Sequence, residues 1–270
     1  MSLELKYYEP VINRNGYVLL YPNVAENSEL LKQAQPPNPY LASIYQQFPL
    51  GTRLIRGLWE FWYEKNAAVN LGIAAPLQSA AAVHAEFDDD IVVGAASAIG
   101  ATTVTLTSTA NLAAAPLSSK DGFAEGYLYV NDEAGEGQFY QIKGHEAASG
   151  TSNFIVTLYD ALTIALTTAS QVGLIQHPCA NVVASKAVMT GSYLGVPLIA
   201  VTASYFFWAL RYGPSPMICN AAIAKGTTVV LGTTAAQADP AVDTTTEVAI
   251  GYPLTPAVTD TETFVVMAGN

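Results

Sequence analysis

Several stretches of this sequence carry residue types that do hydrolytic or nucleotide chemistry elsewhere, and their spacing decides whether they could do it here. Gly191-Ser-Tyr-Leu-Gly195 sets a serine between glycines. A nucleophile elbow needs the serine at the centre of Gly-x-Ser-x-Gly, where a sharp strand-to-helix turn exposes its hydroxyl, and this serine stands second. His145-Glu146 opens like the zinc motif His-Glu-x-x-His, but Ser149 occupies the place of the ligand one helical turn on. Lys225-Gly226 reverses the Gly-Lys order of a phosphate-binding loop. With His84, His145 and His177 as the only histidines, acid–base work would fall mainly to carboxylates. Those cluster at Asp88-Asp89-Asp90 and at Asp132-Glu133 with Glu136. Adjacent carboxylates in a turn can converge on Ca²⁺, yet they also occur as solvated turn charges, and the spacing fits no calcium-loop template. His177-Pro-Cys179 offers two metal ligands or, more simply, a buried histidine beside an inert thiol. Cys179 and Cys219 are too few for a disulfide framework and form no CxxC unit. No pair of carboxylates stands out as the acid and base of a glycan hydrolase. The expectation is a protein that is not an enzyme and holds no cofactor and no metal.

The residues that suggest a task are aromatic. Trp59-Glu-Phe-Trp-Tyr63 and Tyr205-Phe-Phe-Trp208 concentrate the side chains that dominate interface hot spots, and core packing is the competing explanation. If residues 59–63 are extended, Trp59, Phe61 and Tyr63 share one face and Trp62 takes the other. Tyr7, Tyr8, Tyr21, Pro36, Pro37, Tyr40, Trp59 and Trp62 are therefore the candidate partner-interface residues.

The elements that must position them read as β. Residues 1–50 are rich in Tyr, Pro and Asn, and Pro36-Pro37-Asn38-Pro39 blocks both helix continuation and central-strand pairing, which predicts an extended arm with at most a short helix at Glu26–Gln33. Gly100-Ala-Thr-Thr-Val-Thr-Leu-Thr107 alternates as a half-buried strand does. Gly126–Val130 and Gln138–Ile142, joined through a Gly-rich connection, predict a hairpin. Further strands are expected at Asn153–Tyr159, Gln171–Ile175, Leu198–Thr202, Tyr205–Leu210, Met217–Ile223, Thr227–Leu231, Glu247–Tyr252 and Phe264–Met267. Short strands at regular spacing without a fixed repeat predict an all-β chain of sandwich or barrel domains behind an extended N-terminal arm. The expected division is an arm at 1–50, a β segment at 51–90 that completes the C-terminal domain, a central β domain at 91–180 and a C-terminal β domain at 181–270.

Composition narrows the partner. Charged residues make up 12% of the chain, about half the ~25% usual in soluble domains, while 51% are apolar. Such a surface either meets protein or is covered by Thr, Ser, Asn and Gln. The net charge of −11, without a basic cluster, repels phosphate backbones and argues against direct nucleic-acid binding. Ala187–Leu210 is uncharged and long enough to span a bilayer, but Gly191, Gly195, Pro197 and its β-branched residues suit two buried strands better, so no membrane association is expected. The first ten residues include Glu4 and Glu9 and no apolar run, so synthesis in the cytoplasm without a secretory leader is expected.

Three segments together carry a resemblance: Phe48-Pro-Leu-Gly-Thr-Arg53 running into Trp59–Tyr63; Gly126–Asp132 with Gly135–Lys143; and Tyr205–Trp208 with Tyr212-Gly-Pro214. Over residues 48–268 the chain resembles virion structural proteins of tailed double-stranded DNA bacteriophages, in the style of capsid decoration, or head cement, subunits. The resemblance rests on turns and strands and brings no catalytic residues. It implies a subunit on the outer surface of the virion capsid, with the major capsid protein and further copies of itself, a trimer in the favoured case, as partners. A tail or head fibre or spike that recognises a host receptor is the alternative.

Overall fold

The computed structural model describes residues 37–82, 84–186, 190–242, 249–258 and 262–268, together with the backbone of two strands at 11–13 and 17–20. Its contacts divide the chain into two compact units, residues 1–81 with 178–270, and residues 82–177. The second unit is inserted into the first, and its ends lie nine residues before the 90/91 division and three before the 180/181 division expected from sequence.

Unit 1 is one twelve-stranded sheet. It begins with β1 (Val11–Asn13), β2 (Tyr17–Leu20), β3 (Arg53–Arg56), β4 (Trp59–Lys65) and β5 (Leu77–Gln78). After the insertion it continues with β12 (Val183–Ala184), β13 (Tyr193–Pro197), β14 (Phe206–Ile218), β15 (Val229–Leu231), β16 (Ala238–Pro240), β17 (Ala249–Pro253) and β18 (Thr263–Ala268). The main path runs β1-β2-β3-β4-β14-β18-β17-β15-β16, with β13, β5 and β12 branching from β14. Every pairing within it is antiparallel, which permits one buried and one solvated face per strand.

The expected extended arm is not wholly free of structure. Residues 11–20 include a two-stranded hairpin that adds to β3 in the register Val18–Ile55, Leu19–Leu54 and Leu20–Arg53. The expected helix at 26–33 lies outside the described residues.

Strand β14 organises the unit and differs from its expected form. The sequence predicts two strands, Tyr205–Leu210 and Met217–Ile223, split by Gly213-Pro-Ser-Pro216. The structure has one strand of 13 residues, which changes partner midway: Phe206–Tyr212 pairs with β4 and Gly213–Ile218 pairs with β18. The prolines are accommodated in the second half, where β18 is the ladder partner and β4 has ended, as an edge-like position allows. Gly213 has a φ of 101° and lies under the β3–β4 turn, where an added Cβ would come within 2.3 Å of the Leu58 carbonyl oxygen. Leu198–Thr202, expected as a strand on its β-branched content, is instead a bend and loop with one bridge, Val201 to Leu71, because the strand lies earlier and closes at Pro197.

Unit 2 holds one helical turn, α1 (Ala85–Asp88), and β6 (Ile91–Ala95), β7 (Thr103–Thr107), β8 (Tyr127–Asp132), β9 (Phe139–His145), β10 (Asn153–Leu158) and β11 (Gln171–Ile175). These six strands close into an antiparallel barrel in the order β10-β7-β6-β11-β8-β9. Closure removes the exposed edges that an open sheet would present. Alternation fills the barrel from every strand: Val93, Leu106, Leu128, Ile142, Val156 and Val172 are all fully buried. Leu112, Leu117 and Phe123 from the 108–125 connection complete that core.

Candidate interaction surfaces

Of the residues selected from sequence, Tyr7, Tyr8, Tyr21 and Pro36 lie outside the described residues. Pro37 is buried and Tyr40 is exposed. Tyr40 opens a short apolar ridge with Leu41, Ile44 and Tyr45, the last 79% exposed. The ridge is held to the body by reciprocal backbone hydrogen bonds between Ser43 and Phe206 at 2.9 and 2.7 Å.

Trp59 and Trp62 have different environments. Trp59, at the start of β4, packs edge-on against Phe61 and donates its indole N–H to the Pro214 carbonyl at 3.1 Å, leaving part of its ring exposed. Trp62 faces the other way, as alternation requires, and is engaged by its own chain. The Arg211 guanidinium lies 3.9 Å from its ring centroid and that of Arg53 5.5 Å. Its indole N–H donates to Glu60 Oε1 at 2.8 Å, the oxygen that also accepts from Arg53 Nε at 2.6 Å. Trp62 thus belongs to an internal cation–π and hydrogen-bond ladder across β3, β4 and β14, and offers a partner only its half-exposed remainder. On the opposite face Phe61 and Tyr63 enter the core, where Tyr63 packs with Phe48, Phe206 and Trp208.

Next along the Trp62 face is Glu64, fully buried, with no hydrogen-bond partner for either carboxylate oxygen. Burial raises its pKa well above the usual carboxylate range, and Arg211 opposes that shift only partly. The Tyr193 hydroxyl is buried nearby, also without a partner, and desolvation pushes its ionisation out of reach. Burial thus favours the neutral form of Glu64 within the β4–β14 layer. A single Glu in an aromatic strand reads as a solvent-facing residue, and nothing in the sequence signals this burial.

The surface that sequence reasoning missed is the outer face of β14, β18 and β17. Cross-strand pairs place Pro214 opposite Met267, Met267 opposite Tyr252, and Pro216 opposite Val265. The inner face carries Met217, Phe264, Val266 and Ala268, all buried. The outer face carries Pro214, Pro216, Ile218, Val265, Met267 and Tyr252, the last 60% exposed. No charged residue occurs in Gly213–Ile218, Ala249–Pro253 or Thr263–Ala268. A sheet that faces water on one side alternates apolar with polar residues; here the outer face too is apolar apart from Thr263 and the Tyr252 hydroxyl. Single alternations such as Phe264-Val-Val-Met267 were visible, but their outward partners, Pro214 and Tyr252 for Met267, are set by registers with other strands.

The motifs weighed for chemistry have structural surroundings. His145 accepts a hydrogen bond at Nε2 from the Phe123 N–H at 2.9 Å, so Nδ1 carries the proton and donates to the Glu146 carbonyl at 2.6 Å. Both ring nitrogens are used, and burial lowers its pKa. His177 is buried with its pKa lowered by desolvation to about 4. Cys179 and Cys219 are buried free thiols. Asp89 and Asp90 both accept from the Asn131 side-chain amide, and the Asp88 backbone carbonyl accepts from the Tyr129 hydroxyl. Desolvation, then the charge of Asp89, raises the Asp88 pKa. Among the described residues, no group of three or more His, Cys, Asp and Glu side chains is placed to hold a metal ion, and no helix is long and apolar enough to cross a membrane. Compared with protein-family models, with curated proteins and with solved structures, the chain matched none.

Proposed function

We propose that this chain is a structural subunit of a tailed-phage virion, a decoration or cement protein that binds the outer head surface and ties neighbouring capsid subunits together. The observation that carries the reading is the charge-free outer face of β14, β18 and β17, a second apolar face on a sheet whose inner face already has a core. Exposed apolar patches of this kind mark protein interaction sites. Low overall charge and the resemblance to virion proteins supply the particle context; the sheet face by itself supplies only the protein-binding part.

Such a subunit acts by burial. At about 25 cal/mol per Å² of apolar surface, a modest contact repeated over a lattice resists outward pressure without any single contact being strong. Self-association as a trimer belongs to the same proposal and is checked by light scattering of the purified chain.

The test is binding to phage heads that lack the subunit. The parent chain should co-sediment with heads and label them as a regular lattice in electron micrographs, and Met267→Lys with Tyr252→Glu should abolish both while the variant stays folded. Labelling of a single vertex or of the tail would favour the fibre reading instead. Unchanged occupancy by the double variant would remove the role given to this face.

A further inference from the structure

The outer wall of the barrel is polar along much of its circumference, with Thr103, Thr105, Thr107, Asn153 and Thr157 facing out from β7 and β10. Rings interrupt it on β8 and β9. Tyr127 and Phe139 stack with centroids 5.1 Å apart and planes 24° from parallel, and His177 lies 6.2 Å from Tyr127 at 25°. Phe139 at the end of this series is 58% exposed. Tyr129, one outward position along β8, lies across Gly173, where an added Cβ would fall 2.3 Å from its ring; only glycine lets that ring lie against the sheet. Tyr129, Phe139 and Ile175, with Val130, Gly137 and Gln138, line an open depression of about 330 Å³.

Polar groups border the rings. Asn131 follows Tyr129 on the same face of β8, with a buried Oδ1 that has no partner, while its amide nitrogen is held by Asp89 and Asp90. Gln138 lines the depression itself, with its side-chain Oε1 accepting from the Tyr140 and Thr163 hydroxyls. Aromatic faces are electronegative and favour weakly polarised C–H groups, whereas amides and carboxylates favour hydroxyls. A pyranose ring presents both, C–H bonds on its faces and hydroxyls on its rim.

The charge around the site selects among flat ligands. Asp88, Asp89, Asp90, Asp132, Glu133 and Glu136 lie on α1, on β8 and in the connections beside them, so a nucleotide or another anion would be repelled. An entirely apolar ligand would strip water from the exposed carboxylates Asp89, Asp90 and Asp132 without offering them a hydroxyl. The volume is at the small end of ligand sites, suited to about one or two sugar rings. We propose that this groove binds a neutral pyranose, as the terminal residues of a surface glycan.

The experiment is an array of immobilised glycans ending in neutral glucose, galactose or mannose, alongside sialylated and phosphorylated glycans, probed with the full chain. The parent should retain at least one neutral glycan, with the acidic glycans weaker. Phe139→Ala and Tyr127→Ala should each lower that binding tenfold or more, and Phe139→Trp should keep it. Ile155→Ala, on the outer face of β10, should bind as the parent does. No neutral glycan bound at millimolar sites, equal binding by Phe139→Ala, or preference for the acidic glycans would overturn the proposal. Head occupancy of the Phe139 variants should match that of the parent, so the virion reading and the glycan reading fail separately.

Discussion

Thr103, Thr105 and Thr107 stand on the outer wall of the barrel as Pro214, Pro216 and Ile218 stand on the outer face of β14, and both sets obey the same two-residue alternation over an apolar inner face. The barrel's outward residues satisfy water largely with hydroxyls and amides, apart from Val92, Ile155 and Ile175 and the rings near Phe139. Those on β14, β18 and β17 offer only the hydroxyls of Tyr252 and Thr263 beyond the backbone. Since the inner faces are equivalent, the difference is not one of stability. It fits the proposal that the sheet of unit 1, more than the inserted barrel, meets a protein partner. Their buried titratable groups differ as well: unit 1 hides a carboxyl, Glu64, and unit 2 hides two imidazoles, His145 and His177.

The largest effect separates the two faces of one strand. Phe264→Ala, on the inner face of β18, should destabilise unit 1 by about 3–5 kcal/mol in denaturant unfolding. Met267→Lys, three residues on and facing out, should shift folding by no more than about 0.5 kcal/mol while removing head binding. Comparable losses of stability from both would mean that the outer face is already covered within the chain.

The next comparison is in pH. His177 has its pKa lowered from 6.5 to about 4, and His145 is lowered as well. The folded barrel therefore binds fewer protons than the unfolded chain in this range, and its stability is present in full above pH 6.5 and lost as pH falls towards 4. For His177 alone the loss is about 3 kcal/mol at 1.36 kcal/mol per pH unit. Protection factors of the β8 and β9 amides, corrected for the intrinsic exchange rate at each pH, should fall accordingly on acidification. Constant protection between pH 7 and 4 would show that these imidazoles are solvated.

Glu64 has the opposite sign. Its folded pKa is raised above 4.5, so the stability tied to its proton is complete below about pH 4.5 and is lost as pH rises through the folded value. Glu64→Gln should thus stabilise unit 1 by about 1–3 kcal/mol at pH 8, the usual cost of an uncompensated buried polar group, and by almost nothing at pH 4. A variant less stable than the parent at pH 8 would mean that the carboxylate pairs with Arg211 in solution.

These contrasts were unequally visible in the sequence. The Thr alternation at 103–107 and the hairpin of Tyr127–Val130 with Gln138–Ile142 are local patterns, and local patterns fix strand and face together. Strand β14 was misjudged because Pro214 and Pro216 signal a break unless the strand is known to lose one neighbour at Tyr212. Tyr127 and Phe139 could be assigned to a hairpin, but their stacking depends on the register that sets Tyr129 opposite Phe139. Trp62, chosen for contact, is occupied by Arg53 and Arg211, which come from the strands on either side. Cross-strand neighbours decide what a side chain is free to do, and one sequence without its pairing does not contain them.

The smallest expected effect probes whether an apolar outer face is sufficient for docking. Thr105→Val replaces a half-exposed hydroxyl on the barrel wall with a methyl group, keeps the β-branched shape that suits a strand, and should alter stability by less than about 0.5 kcal/mol. If head binding is a property of the particular surface formed by Pro214, Met267 and Tyr252, occupancy should not change. If Thr105→Val with Thr103→Val instead makes the chain bind heads more tightly, apolar area alone recruits it. The contrast between the two outer faces would then be one of degree, set by how many hydroxyls the barrel wall retains.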